Sequence, residues 1–150
     1  MIYRKPTFDD VEAIYSLINE YANEGVMLAR SRNTLYETLR DMIVADDNGT
    51  IVGVGGLHIV WDRLAEVRSM AVLPERAHQR VGTEIVKRLI DEAKELHAEK
   101  VFTLTYKPGF FQTLGFQIIV KEDLPPKVWK DCIDCPKFPN CDEIALIRKI

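Results

Sequence analysis

The sequence has no surplus of positive charge. Lys and Arg number 20 against 23 Asp and Glu, a formal net charge of −3. A nucleic-acid partner calls for a broad basic face, so that class is disfavoured. A small anion held in a local pocket is not excluded. Long apolar runs are also missing. The most apolar stretch, Ile51 to Trp61, is broken by Gly53, Gly55, Gly56 and His58. It falls short of the roughly 18 residues a membrane span needs. The N-terminus turns charged at Arg4, unlike a signal peptide. Cysteine is scarce and clustered, as Cys132, Cys135 and Cys141, where a disulfide-built secreted fold spreads an even number along the chain. Internal repeats and low-complexity segments are absent. These absences together point to a cytoplasmic protein.

The 150 residues, 47% hydrophobic and 29% charged, have the profile of one folded domain. That domain is read as residues 1–150, with a Cys/Pro-rich segment at 124–142. Ile2 to Lys5 reads as a first strand. Asp9 or Asp10 then caps a helix with an apolar stripe at Val11, Ile14, Tyr15, Ile18, Tyr21 and Ala22. Thr34 and Glu37 have capping-box spacing, which predicts a second helix to about Arg40. Met42 to Asp46 and Thr50 to Ile59 form a hairpin around Asp47, Asn48 and Gly49. Ala65 to Val72 is a further strand, ended by Pro74. The clearest helix is Val81 to Leu96, with apolar residues recurring at three and four positions. Lys100 to Thr105, a short helix from Pro108, Phe116 to Val120 and a last edge strand at Ile144 to Arg148 complete the reading. The fold class is α/β: a mixed sheet flanked by helices, with antiparallel strands early and a crossover unit later.

The strand, Pro74, short loop and strong helix are the most informative stretch. Residues 75–82 contain no proline, so each offers a backbone N–H. At a helix start these groups lack intrahelical partners and, with the helix dipole, suit a phosphate. An ordinary solvated connection fits the same spacing.

Four segments carry a family resemblance: MLARSRNTLYETLRD, AEVRSMAVLPE, FTLTYKPGFFQTLGF and LPPKVWKDCIDCPKFPNCDE. With the order of elements, the chain resembles the GCN5-related N-acetyltransferases (GNAT). Within them it is similar to the single-domain bacterial amino-acid N-acetyltransferases, the N-acetylglutamate synthases of arginine biosynthesis. The resemblance implies the GNAT fold, a mostly antiparallel sheet with one splayed parallel pair. It implies acetyl-CoA as co-substrate and the α-amino group of a free amino acid, L-glutamate first, as acceptor. Another small amine or a peptide N-terminus is an alternative acceptor. A non-enzymatic CoA-sensing or interaction domain is a further alternative. Superfamily members often form homodimers, so a second copy is a candidate partner; nucleic acid and membrane are not.

The family's pyrophosphate loop runs Gln or Arg, two free positions, Gly, one free position, then Gly or Ala. Aligned from Pro74, that loop is Ala77, His78, Gln79, Arg80, Val81 and Gly82, followed by Thr83. Ala77 and Arg80 depart from the pattern. Arginine supplies charge for a phosphate but takes positive φ at greater cost than glycine. Acetyl transfer needs an ammonium deprotonated, a carbonyl oxygen stabilised and a thiolate released. The resemblance assigns the oxyanion donor to the backbone near Ala71 or Val72. It assigns the general base to Glu66, with Ser69 helping to hold a water. The residue-level alternative is a solvated carboxylate pairing with Arg68 two residues along the strand. Where many members have a tyrosine as acid, this chain has Phe111, and Tyr106 is the nearest spare hydroxyl. A dicarboxylate acceptor calls for cations. Arg30 comes first, then Lys107, with Arg32 and Arg68 in reserve. Trp61 and His58 receive no role. For Cys132, Cys135 and Cys141 three readings stay open: a structural zinc, which is not favoured, a redox pair, or reduced cysteines packed in the C-terminal lobe.

Overall fold

The computed structural model describes residues 1–23, 30–124 and 143–150. Seven strands form one sheet in the order β1-β2-β3-β4-β5-β7-β6. They are β1 (Ile2–Arg4), β2 (Met42–Asp47), β3 (Thr50–Trp61), β4 (Leu64–Val72), β5 (Lys100–Thr105), β6 (Gln117–Ile119) and β7 (Ile144–Lys149). Among the described residues four α-helices flank it: α1 (Val11–Asn23), α2 (Arg32–Glu37), α3 (Val81–Glu95) and α4 (Pro108–Gln112). Neighbouring strands are antiparallel except β4 and β5, which run parallel. α3 is the crossover between them, as parallel pairing demands.

The periodic segments lie where their patterns predict. Val81, Ile85, Val86, Leu89, Ile90 and Ala93 bury one stripe of α3 against Leu57, Val67 and Val101 of the sheet. The opposite sheet face, with Val44, Val54 and Ala71, takes Val11, Ile14, Leu17 and Ile18 of α1. Asn48 and Gly49 take positive φ in the β2–β3 turn. Among the described residues, no helix is long and apolar enough to cross a membrane.

The helix caps differ from the expectation. Thr7, not Asp9 or Asp10, opens the turn leading into α1, and Asp10 is the reciprocal acid of its capping box. Ser31, not Thr34, caps α2. Its Oγ accepts from the Thr34 N–H at 3.1 Å, and Glu37 instead accepts from Asn33. Adjacent Ser, Thr and Asp residues have the same local chemistry, so tertiary position chooses among them. β7 is no edge strand. It lies between β5 and β6, and among the described residues the edges are β1 and β6. Strand pattern reports burial by face, not order within a sheet.

Asp10 also ties the N-terminal strand to the helix. Its carboxylate accepts from both Nη atoms of Arg4, at 2.8 and 3.0 Å, and from the Thr7 N–H at 2.7 Å. The Arg4 guanidinium holds the Asp10 carboxyl below its usual range, with the Thr7 bonds adding to it against the opposing effect of burial. A carboxyl depressed in the folded state stabilises fully above its unfolded value of about 4, and that stability fades as pH falls through the folded value. Asp10→Asn is expected to lower stability at pH 7 by about 2 kcal/mol. It is also expected to flatten the acid limb of melting temperature against pH, measured by thermal denaturation between pH 7 and 3.

Candidate active site

β4 pairs with β5 only from Leu64↔Lys100 to Glu66↔Phe102. Beyond Glu66 the two strands part. The buried Thr103 hydroxyl donates to the Val67 carbonyl at 2.9 Å, supplying a bond where the ladder has ended. Next comes a bulge. The β3–β4 register passes from Gly56↔Arg68 to Val54↔Ala71, and Ser69 takes φ of +59°. Left-handed backbone at a non-glycine residue is strained, and a bulge re-aims the strand that follows.

The parting opens a cleft of about 410 Å³. Met70, Ala71 and Val72 line it from β4. Ala77, His78, Arg80, Gly82 and Thr83 line it from the loop and the first turn of α3. Thr105, Lys107, Phe110 and Phe111 close the far side. Gln79 and Val81 are not in that wall. Gln79 accepts from Arg76 at 3.3 Å, and Val81 is buried in the core. The first bond at the head of α3 runs from the Glu84 N–H to the Arg80 carbonyl at 3.1 Å. The N–H groups of Val81, Gly82 and Thr83 therefore precede the ladder and lack intrahelical acceptors. Gly82 permits close approach: a Cβ there would lie 3.3 Å from the Phe110 ring. Arg80, at the N-cap, takes φ of 61° and ψ of 22°. Unpaired N–H groups, the positive end of a 15-residue helix and the cations Arg80 and Lys107, with His78 beside them, together suit an extended anion.

A tight recess lies on the other side of the bulge, lined by Arg30, Thr34, Thr38, Asp41, Met42, Gly56, Arg68 and Ser69. Its volume is about 10 Å³, room for roughly one water. Asn19 of α1 fixes Arg30 there. Its Oδ1 accepts from the Arg30 N–H at 3.3 Å, and its Nδ2 donates to the Arg30 carbonyl at 3.0 Å. Glu66 does pair with Arg68, but the pair is not solvated: both side chains are 14% exposed. Both guanidinium bonds, at 3.2 and 2.9 Å, fall on Glu66 Oε1, and Oε2 takes neither. A second acid–base pair lies beside the first. His58 Nδ1 is 2.7 Å from Asp41 Oδ2, and His58 stands opposite Glu66 in the β3–β4 register.

The sequence-derived residues thus divide. Arg30, Arg68 and Ser69 share the recess, and Ala71, Val72, Ala77, His78, Arg80, Gly82 and Thr83 share the cleft. Lys107 belongs to the cleft rather than to the recess. Arg32 joins neither. It bonds both oxygens of Glu12, at 2.8 and 3.1 Å, and lies 4.0 Å over the Tyr15 ring. Phe111 is buried edge-on against Phe110 and Phe116. Cys132, Cys135 and Cys141 lie outside the described residues. Among the described residues, no group of three His, Cys, Asp or Glu side chains is arranged to hold a metal ion. Sequence reasoning missed Asn19, Asp41 and Thr103, which carry no local signal, and left His58 without a role.

Comparison with known proteins agrees with this geometry. The model of the acetyltransferase (GNAT) family matches residues 10–116. An uncharacterized N-acetyltransferase of Chlorobaculum tepidum is 38% identical over 147 residues, covering 98% of this chain and 95% of the relative. An amino-acid acetyltransferase of Mycobacterium tuberculosis is 37% identical over 118 residues, covering 77% of this chain and 67% of the relative. The crystal structure of Rv2747 from Mycobacterium tuberculosis, in complex with CoA and NLQ, superposes with a TM-score of 0.88 at 28% identity, covering 100% of this chain and 99% of that one. N-acetylglutamate synthase from Neisseria gonorrhoeae, complexed with coenzyme A and N-acetyl-glutamate, shares the fold with a TM-score of 0.90 at 23% identity, covering 99% of this chain and 34% of that one. A cleft at the head of α3 between parting parallel strands, with the family match across most of the chain, places this protein in the GNAT family of acetyltransferases.

Proposed function

We propose that the protein transfers the acetyl group of acetyl-CoA to the α-amino group of a free amino acid, with L-glutamate the first candidate. The carrying observation is the meeting of two unlike pockets at Ser69 and Met70. The 410 Å³ cleft is dipolar and cationic, and the recess beyond the bulge is lined by Arg30 and by Arg68, whose guanidinium bonds Glu66. Acetyl-CoA lies in the cleft, its diphosphate on the Val81, Gly82 and Thr83 N–H groups beside Arg80. The backbone at Ala71 and Val72 faces the thioester carbonyl and stabilises the oxyanion. Glu66 takes a proton from the acceptor ammonium through Oε2, directly or across a water held near Ser69. Phe111 cannot donate a proton, so the sulfur leaves as thiolate and is protonated from solvent. Arg30 receives an acceptor carboxylate. An amino acid exceeds the volume of the recess, so its entry must widen the walls. The amino-acid acetyltransferase relative at 37% identity and the CoA-bound neighbour support this reading.

The test is thiol release from acetyl-CoA with purified protein and each amino acid in turn. Glutamate is expected to exceed neutral amino acids clearly. Equal rates on acidic and neutral acceptors would remove the glutamate assignment, and a higher rate with spermidine would replace it. The loop has its own signature. Arg80→Gly relieves left-handed strain but frees the unfolded chain, so stability should rise by at most about 1 kcal/mol. The same substitution should weaken CoA binding several-fold in calorimetry, because a phosphate-facing charge is lost.

A further inference from the structure

We propose that the His58–Asp41 pair is the proton outlet of the acceptor site, receiving from Glu66 the proton that each turnover releases. The inference rests on the acetyl-transfer reading above and assigns a role that reading leaves open. The stoichiometry demands an outlet. An ammonium carries three protons on nitrogen and the amide product carries one, so two leave. Solvent returns one to the departing thiolate. One net proton must reach solvent in every cycle. Glu66 holds one proton at most, and its Oε1 is occupied by Arg68 at 2.9 and 3.2 Å. It has to be emptied before the next acceptor arrives.

His58 is placed to empty it. Its strand position is directly opposite Glu66, so the two side chains share a sheet face with Cβ atoms roughly 5 Å apart. Their hydrogen bonds run to Asp41 and Arg68 and not to each other, so the transfer runs across one bridging water. Asp41 Oδ2 lies 2.7 Å from His58 Nδ1. An ionised carboxylate only accepts, so the proton between them sits on Nδ1 and Nε2 carries the free lone pair. The Asp41 charge also stabilises the imidazolium once the proton arrives. The His58 side chain is 36% exposed against 14% for Glu66, so the gradient of solvent access runs outward from base to imidazole. The charged groups beside His58 are Asp41 before β2 and, on the facing strand β4, Glu66 and its partner Arg68. His58 acts through Glu66, as a positioning and relay residue. An imidazole that must be neutral to receive the proton contributes an acid limb to the rate profile.

The experiment is kcat/KM from pH 5.5 to 9 for wild type, H58Q and D41N, with whichever amino acid the wild type acetylates fastest. The wild-type acceptor panel tests the proposed function separately. A change of preferred acceptor therefore leaves the relay test intact. H58Q is expected to lower kcat about tenfold or more and to abolish one acid limb of the wild-type profile, while limbs belonging to the substrates persist in both proteins. D41N is expected to retain the limb but move it to lower pH, because the anion supporting the imidazolium is gone. A merely structural pair would lower melting temperature without moving either limb. An H58Q profile of unchanged shape, with kcat within twofold of wild type, overturns the proposal. Should H58Q fail to fold, the imidazole resonances of His58 in wild type decide instead. A ring titration coinciding with the kinetic limb supports the relay, and one a full pH unit away overturns it.

Discussion

Glu66→Gln is expected to slow acetyl transfer about a hundred- to ten-thousand-fold, the range set by removing a positioned general base. Glutamine keeps the length of the side chain, and its carbonyl oxygen can still accept from Arg68, so the strand pair survives. What disappears is the basicity of Oε2. The loss should fall on kcat. CoA affinity should stay near wild type, because Glu66 is not part of the cleft wall. Thiol release read with saturating substrates, alongside calorimetry with CoA, separates the two quantities. A kcat within about threefold of wild type would strip Glu66 of its role, and the relay through His58 would go with it.

Gly55→Val is expected to destabilise the protein by about 3 kcal/mol, the upper end for forcing extra methyl groups into a packed interior. For a chain of this size that is roughly a 6–12 °C fall in melting temperature. The sign is informative, since valine is a better strand former than glycine on an open sheet face. Here β3 is pressed under α3. A Cβ at residue 55 would meet Met70 Sδ, would lie 2.7 Å from Ile85 Cγ2, and would be 3.4 Å from Leu89. Methionine can swing aside. Ile85 is branched at Cβ and fully buried, so it cannot yield without moving the helix. α3 carries the Val81, Gly82 and Thr83 N–H groups at its head, so lifting it should also weaken CoA binding. Gly55→Ala should give a smaller loss in the same direction. Stability unchanged in both variants would mean that the helix does not bear on this strand as closely as described.

The elements that repeat a local rule were readable without the fold. α3 followed from six apolar residues at helical spacing. The β2–β3 hairpin followed from Asp47, Asn48 and Gly49, because two consecutive positive φ angles select such residues. The loop before α3 could be read as an anion site because the absence of proline leaves every N–H available. Cap assignment failed at Thr7 and Ser31, where several side chains of like chemistry competed within three residues. The candidate cations were four, and the chain alone had no means to sort them. Arg32 is drawn off by Glu12 and Tyr15, twenty and seventeen positions away along the sequence. Lys107 lies in the cleft, apart from the recess.

The sequence by itself determined the fold class, the helix whose N-terminus faces the cleft, and the strand bearing Glu66. Each rests on periodicity or on backbone chemistry within a few residues. The tertiary structure alone decided that β7 inserts between β5 and β6 and that β4 and β5 part after Glu66. It alone decided that Ser69 bends the strand between two pockets, and that Asp41 and Asn19 reach His58 and Arg30. These features join residues distant in sequence. A side chain's partner is then fixed by which strands pair and in what register, and no local propensity encodes either.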